Sequence, residues 1–283
     1  KINYMKSGLL FADVINTVSN TYAYEIRSDD DIGAGLKDIL KKRVNDLYGI
    51  INGIDNKVWN PEKDKHLPKK FNIKTLDAKL INKEALTERF GLKYTETIPV
   101  IGIISRLYNS KGFDLIQKVF KDLMKLDIQL ILLGTGDKKY HEFFDKMSFK
   151  YKNKFACYLG FNDDLAHLVE GGADIFLMPS KYEPCGLNQM YSLKYGTVPV
   201  VRETGGLADT VIKYDEKTGE GNGFMFKKYD VQELLKEIKR AIKIYSDKKV
   251  WHKIMKTGMK SDFSWNLSAK KYIDLYKTIL SNN

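Results

Sequence analysis

The sequence is poor in cysteine: Cys157 and Cys185 are the only two in 283 residues, and they stand in no zinc or redox spacing. That excludes a disulfide framework and fits a reducing compartment. The four histidines, at positions 66, 141, 167 and 252, show no metal-ligand spacing, so no metal is expected from the sequence. No apolar run approaches the roughly 18 residues that would cross a bilayer. The opening KINYMKSGLLFADVINTVS is interrupted by Asp13 before a signal-type core is complete, which makes cytoplasm the expected location and leaves no membrane partner. Arginine is scarce, occurring only at positions 27, 43, 89, 106, 202 and 240, although the net charge is +11. The lysines are interleaved with acids, as in KKYDVQELLKEIKRAIK, which is the pattern of a solvated face. No nucleic-acid partner is expected, because the basic patch such readers show is missing. Internal repeats and low-complexity linkers are also lacking.

What is present is a globular chain, long enough for one large or two ordinary domains. From about residue 98, short apolar runs alternate with amphipathic ones: IPVIGIIS, FDLIQKVFKDLMKL, QLILLG, KYHEFFDKM, FACYLGF, DDLAHLVEGG, ADIFLMPS and TVPVVRE. Alternation at that pace predicts an α/β fold, a Rossmann-like parallel sheet with helices on both faces. Ligands of such sheets bind beyond the carboxyl ends of the strands, where Arg106, Gly134, Phe161, Ser180 and Thr204 fall. Residues 230 to 245 read as a structural helix, with Asp230 and Glu233 spaced as a capping pair. Residues 1 to about 50 read as an amphipathic helix, a short strand in DVINTVS and a polar loop at Asp29, Asp30 and Asp31. That acidic triplet is a solvated turn rather than a metal motif.

Four motifs carry the chemistry. PSKYEPCGLNQMYSLKYG places Glu183 just ahead of a helix start, where backbone amides of Gly186, Leu187 and Asn188 could receive a phosphate. The alternative is a glutamate that merely caps the helix. SRLYNSKGFD puts Arg106 beyond a strand and Lys111 at the mouth of the next helix, so both heads can converge on one diphosphate. The alternative is two surface cations on a loop. LLGTGD lacks the third glycine of a dinucleotide fingerprint and is weak evidence. TGGL, with Thr204 and Gly205, offers either bare backbone for a ligand or an ordinary tight turn.

These motifs, together with NGIDNKVWNP at 52 to 61 and DFSW at 262 to 265, stand in six ordered blocks. On them the chain resembles the bacterial glycogen synthases and plant starch synthases, retaining glucosyltransferases of the two-domain GT-B fold. The resemblance implies that this is the C-terminal portion, and that an upstream Rossmann-type domain with a Lys-x-Gly-Gly-Leu loop is absent from this sequence. It divides the chain into a remnant of that domain and linker at 1–50, a C-terminal nucleotide-sugar-binding domain at 51–261, and a crossover helix at 262–283. It implies transfer of glucose from ADP-glucose, with UDP-glucose left open, to the non-reducing end of an α-1,4-glucan. Neither metal nor other cofactor takes part. Glu183, Arg106 and Lys111 become the expected catalytic residues. Asn52, Phe161, Cys185, Gly186, Leu187, Asn188, Thr204 and Gly205 become the expected substrate contacts, with Phe161 in place of the family's usual tyrosine under the base. Cys185 reads equally as a small buried residue. Two positions depart from wider patterns: Tyr191 stands where many GT-B enzymes have a second glutamate, and Asn188 where relatives often have threonine. A non-catalytic nucleotide-sugar-binding module, or another GT-B transferase, is the alternative. A phosphorylase would need a pyridoxal-phosphate lysine motif that is not found.

Overall fold

A computed structural model describes residues 3–282; Lys1 and Ile2, the start of the expected remnant, and Asn283, the end of the expected crossover helix, lie outside the described residues. The N-terminal segment holds α1 (Tyr4–Phe11), β1 (Ile15–Thr17), α2 (Asn20–Ser28), α3 (Asp30–Gly33), α4 (Lys37–Lys42) and β2 (Leu47–Gly49). Then follow α5 (Lys79–Arg89), β3 (Val100–Ile104), α6 (Phe113–Leu123), β4 (Gln129–Leu133), α7 (Lys138–Lys150), β5 (Phe155–Tyr158) and α8 (Asp163–Gly172). The second half runs β6 (Ile175–Met178), α9 (Asn188–Lys194), β7 (Val198–Arg202), α10 (Gly205–Thr210), β8 (Phe224–Phe226), α11 (Val231–Tyr245), α12 (Lys248–Met259) and α13 (Trp265–Asn282).

Strands β3 to β8 form one six-stranded sheet in the order β5-β4-β3-β6-β7-β8, parallel at every pairing. The expected Rossmann-like sheet is therefore present. Its strands are nearly continuous apolar runs because both faces are covered. Ile101 and Ile103, Leu130 and Leu132, and Ile175 and Leu177 point into one core with Phe113, Phe120, Phe144 and Ile238. Their neighbours Val100, Ile131 and Phe176 face the opposite layer with Leu86, Leu168 and Val169. This period-two division fixes the register of each strand, since a slip of one residue would exchange the two faces. The strand order reverses between β3 and β6. In a doubly wound sheet the crevice at that reversal is where ligands sit.

The short strands β1 and β2 pair in parallel as a separate sheet, so DVINTVS does form a strand. The acidic triplet is not the loop expected from sequence. Asp29 caps α3, its Oδ1 accepting the Ile32 amide at 3.0 Å, and Asp30 pairs with Lys37. Lys181 pairs with Asp31 at 3.6 Å, so two lysines answer the charge of the triplet. Asp230 caps α11 as expected, accepting the amides of Gln232 and Glu233. Helix α13 turns back towards the N-terminal segment, where Ser268 Oγ donates to the Ile51 carbonyl at 2.7 Å and Asn16 Nδ2 donates to the Tyr272 hydroxyl at 3.1 Å.

At the amino ends of β3 and β6, remote from the crevice, lies a buried polar network with no obvious signature in the sequence. Asp174 accepts the Val100 amide and the Lys83 ammonium, each at 2.8 Å. Lys79 donates to the carbonyls of Glu170 and Gly171 and to Thr197 Oγ1. Burial pushes the Glu170 carboxyl up to about 8, against the opposing pull of the Ser192 hydrogen bond and the Lys79 charge. Its Oε1 is enclosed and lacks a partner among the described residues, as suits a neutral acid. A carboxyl raised in the fold keeps a proton that the unfolded chain has released. Its contribution is full below the unfolded value of about 4.3 and is lost as pH rises through about 8. Between pH 5 and pH 7 the Tm of the parent protein should therefore fall relative to that of E170Q. Parallel curves across that range would show that Glu170 is ionised in the fold.

Candidate functional site

The crevice is built from two loops that leave adjacent strands. One follows β3 and carries Ser105, Arg106 and Lys111; the other follows β6 and carries Ser180 and Glu183, then enters α9. Arg106, Lys111, Glu183, Cys185, Gly186, Leu187 and Asn188 line one hollow of about 420 Å³. Seven of the residues expected from the sequence thus share a single space. A second hollow of about 220 Å³ adjoins it, sharing Ile104, Ser105, Arg106 and Asn188 and adding Gly134, Thr135, Gly160 and Phe161. Phe161 is 86% exposed there, so it is not a packed core aromatic and its ring face is available.

Glu183 is only 6% exposed, yet it is well partnered. Lys111 Nζ donates to both of its carboxylate oxygens, at 2.8 and 2.7 Å, and Ser180 Oγ donates to Oε2 at 3.0 Å. The sequence reading gave Lys111 to an incoming diphosphate; the structure places it on the carboxylate. The ammonium and the acid neutralise each other in a partly buried setting, where separating them without a replacement would be costly. Arg106 is exposed at the rim, its guanidinium 5.7 Å from the Tyr108 ring centre, and no ion pair holds it among the described residues. It is the exposed cation of the site.

The helix that opens on the hollow, α9, is seven residues long. The amides at its very start have no carbonyl one turn back to bond, whereas Met190 already donates to the Leu187 carbonyl at 2.9 Å. The side chain of Asn188 does not reach into the hollow to replace a threonine hydroxyl: its Nδ2 donates to the Ile104 carbonyl at 2.8 Å and ties α9 to the end of β3. Cys185 is buried, and burial raises its thiol above the usual range, the neighbouring Asn52 backbone acting the other way. Burial of this kind disfavours the thiolate form that a nucleophile needs. Asn52 is accordingly placed against the back of the Cys185 turn rather than in the hollow itself.

Thr204 and Gly205 do not line the hollow either. They support it from beneath. A Cβ on Gly205 would fall 1.9 Å from the Glu183 carbonyl, and one on Gly206 would fall 1.9 Å from the Cys185 carbonyl. The protein's own backbone takes the close approach that the sequence reading offered to a ligand. Gly134 has the same role between the loops after β3 and β4, where a Cβ would meet the Ser105 carbonyl at 1.9 Å.

Four supporting residues were not legible beforehand. Glu25 of α2 receives the Thr204 hydroxyl at 2.8 Å and the Gly205 amide at 3.1 Å, at sequence separations of 179 and 180. Asp209 of α10 in turn accepts the Thr21 amide at 3.1 Å, so each helix caps the other. Gln189 Nε2 donates to the carbonyls of Cys185 and Gly186 and contacts Thr210 Oγ1. Arg202 donates Nε–H to the Ser180 carbonyl at 2.8 Å. Glu25 is a single polar residue without a motif, and nothing short of tertiary contact distinguishes it from a surface position; Gln189 lies inside the Glu183 motif, which does not reveal what its side chain holds.

A parallel doubly wound sheet whose reversal point gathers cations, a carboxylate and helix amides is the C-terminal architecture of a GT-B glycosyltransferase. The chain belongs to the family described as glycosyl transferases group 1, whose model matches residues 85–257. Residues 1–42 match the model of the starch synthase catalytic domain. The chain is 47% identical over 281 residues to a glycogen synthase of Pseudothermotoga lettingae and 48% identical over 279 residues to one of Clostridium novyi, covering 99% of this chain in both cases. It also superposes on the catalytic domain of starch synthase IV from Arabidopsis thaliana, solved with ADP and acarbose bound, at a TM-score of 0.92 and 36% identity over 99% of its length. The chain spans 58% of the length of each of these three proteins.

The two mutual caps set a measurable expectation. Removing the Glu25 carboxylate by E25A leaves the Gly205 amide and the Thr204 hydroxyl without their acceptor, at a cost of about 1–3 kcal/mol. Urea unfolding should show that loss. Hydrogen exchange of the Gly205 and Gly206 amides should accelerate in the same variant; unchanged exchange would mean that Glu25 does not hold the loop.

Proposed function

We propose that this chain is the donor-binding half of a glycogen or starch synthase, which moves glucose from ADP-glucose to the non-reducing end of an α-1,4-glucan with retention. The observation that carries this reading is the shared hollow of Arg106, Lys111, Glu183 and the first turn of α9. It is supported by the relatives named glycogen synthase and by the ADP and acarbose bound to the Arabidopsis starch synthase. Under this reading, residues 1–50 are the remnant of an upstream domain, 51–261 the nucleotide-sugar domain and 262–283 the crossover helix that returns to it.

Each residue then has a physical task. The adenine lies on Phe161, whose exposed ring needs only a flat partner. The diphosphate lies between Arg106, Lys111 and the amides of Gly186, Leu187 and Asn188, where fixed donors stabilise the charge that grows as the glycosidic bond breaks. Binding transfers Lys111 from Glu183 to the phosphate. That exchange frees the carboxylate to hold sugar hydroxyls and to face the positive charge developing at the anomeric carbon. No divalent ion is required, because two side-chain cations and backbone amides supply the countercharge. The acceptor groove belongs largely to the upstream domain, so transfer depends on closure of the whole enzyme.

Calorimetry with ADP on this chain tests the assignment. R106A should weaken binding about tenfold to a hundredfold, the loss of one charge-assisted contact of about 1.5–3 kcal/mol. E183Q should bind ADP more tightly than the parent because Lys111 is released in advance, whereas in the full-length enzyme the same change should reduce turnover by at least about a hundredfold. The chain alone should extend no glucan. ADP binding insensitive to R106A, or robust extension by the chain alone, would refute this division of labour. UDP measured alongside ADP settles the donor base.

A further inference from the structure

We propose that His66, Asp163 and His167 form a binding site for one divalent cation of the zinc class, outside the hollow that holds Glu183. A ring nitrogen of each histidine and a carboxylate oxygen of Asp163 all lie within 4.8 Å of one another. Zinc bonds such donors at about 2.0–2.2 Å. A tetrahedral set therefore has donors about 3.3 Å apart, and the site closes by a modest movement of side chains. His66 is half-buried and Asp163 is exposed, so both are free to make that movement. His167 is the fixed point.

The case rests on how His167 is held. It is 1% exposed, its ring lies flat on Trp59 at 3.9 Å with 4° between planes, and its Nδ1 is 2.7 Å from Asp64 Oδ2. Asp64 also accepts the Tyr195 hydroxyl and the His66 amide. Asp64 Oδ2 thus sits between the Tyr195 hydroxyl and His167 Nδ1, so Nδ1 is the ring nitrogen engaged by the carboxylate and Nε2 is the one left over. Among the described residues Nε2 is enclosed and has no hydrogen-bond partner. A buried polar atom left in that state calls for an explanation, and a cation supplies it.

His66 is arranged the same way. Its Nδ1 lies 2.7 Å from Asp164 Oδ1, which leaves the other nitrogen for a ligand. Two imidazoles, each with one nitrogen on a carboxylate, reproduce the outer-shell support that orients metal-bound histidines. Two nitrogens and one oxygen suit zinc, cobalt or nickel and do not suit calcium or magnesium, which take oxygen ligands. Three protein ligands leave one position for water. The sequence concealed this set because only Asp163 and His167 are near each other, one helical turn apart on α8, whereas His66 comes from a loop distant in the chain. Bound there, the cation would tie that loop to the start of α8, two residues beyond Phe161, and so stiffen the base of the second hollow. It takes no part in glucosyl transfer.

The test uses this chain after exhaustive dialysis against a chelator, without nucleotide. Titration with Zn²⁺ should show one equivalent bound and a rise in Tm, and Co²⁺ should give the visible bands of a tetrahedral site. H66A and D163A should each weaken Zn²⁺ binding by at least about tenfold, while H141A, in the first turn of α7, should bind as the parent does. Neither H66A nor D163A removes a buried side chain, so retained ADP binding will report their folding. Absence of a stoichiometric site, or binding undiminished in both H66A and D163A, overturns the proposal.

Discussion

The structure depends on one steric constraint: the peptide that carries Glu183 lies directly on a pair of glycines. Gly205 and Gly206 meet the carbonyls of Glu183 and Cys185 at distances where no side chain fits. The amide of Gly206 returns the contact, donating to the Glu183 carbonyl at 3.0 Å. Everything chemical about the crevice is stacked above that contact. Gln189 closes the turn from the helix side, Arg202 fixes Ser180, and Ser180 fixes the carboxylate. The charged groups are then positioned by backbone geometry rather than by their own attraction.

This arrangement explains how a nearly buried glutamate can coexist with a lysine and still be of use. Coulomb attraction in a partly buried site is strong enough to hold Lys111 on Glu183 but comparable to what a diphosphate would offer. On the proposed function, Ser180 would keep the carboxylate oriented while the lysine leaves. Arg106, exposed and unpaired among the described residues, would then attract an anion before that exchange.

The fold was largely legible in the sequence, and the reason is periodicity. Runs such as VIGII and QLILL bury both faces, and a stripe such as Phe113, Ile116, Val119, Phe120 and Leu123 declares a helix on a core. The site was legible where chemistry is concentrated in one segment: Glu183 to Asn188, and Arg106 with Lys111, do meet. It was misread where a residue type serves two purposes. Thr204 and Gly205 looked like ligand backbone because bare glycine permits close approach, but the group packed against Gly205 is the loop that carries Glu183. Asp29 to Asp31 looked like a loop because acids favour turns, but acids also favour helix starts, and that competing preference prevailed. Glu25 and the His66 cluster were invisible because their meaning resides in partners far along the chain.

The exchange of caps between α2 and α10 has a mechanical corollary. Each helix grips the opening turn of the other by a carboxylate, so the two behave as interlocked fingers rather than as neighbours in contact. A rotation of α2 cannot leave the Glu183 turn where it stands unless both grips fail together. Whatever body is attached to the segment before Asn52 therefore has a lever that ends directly under the carboxylate.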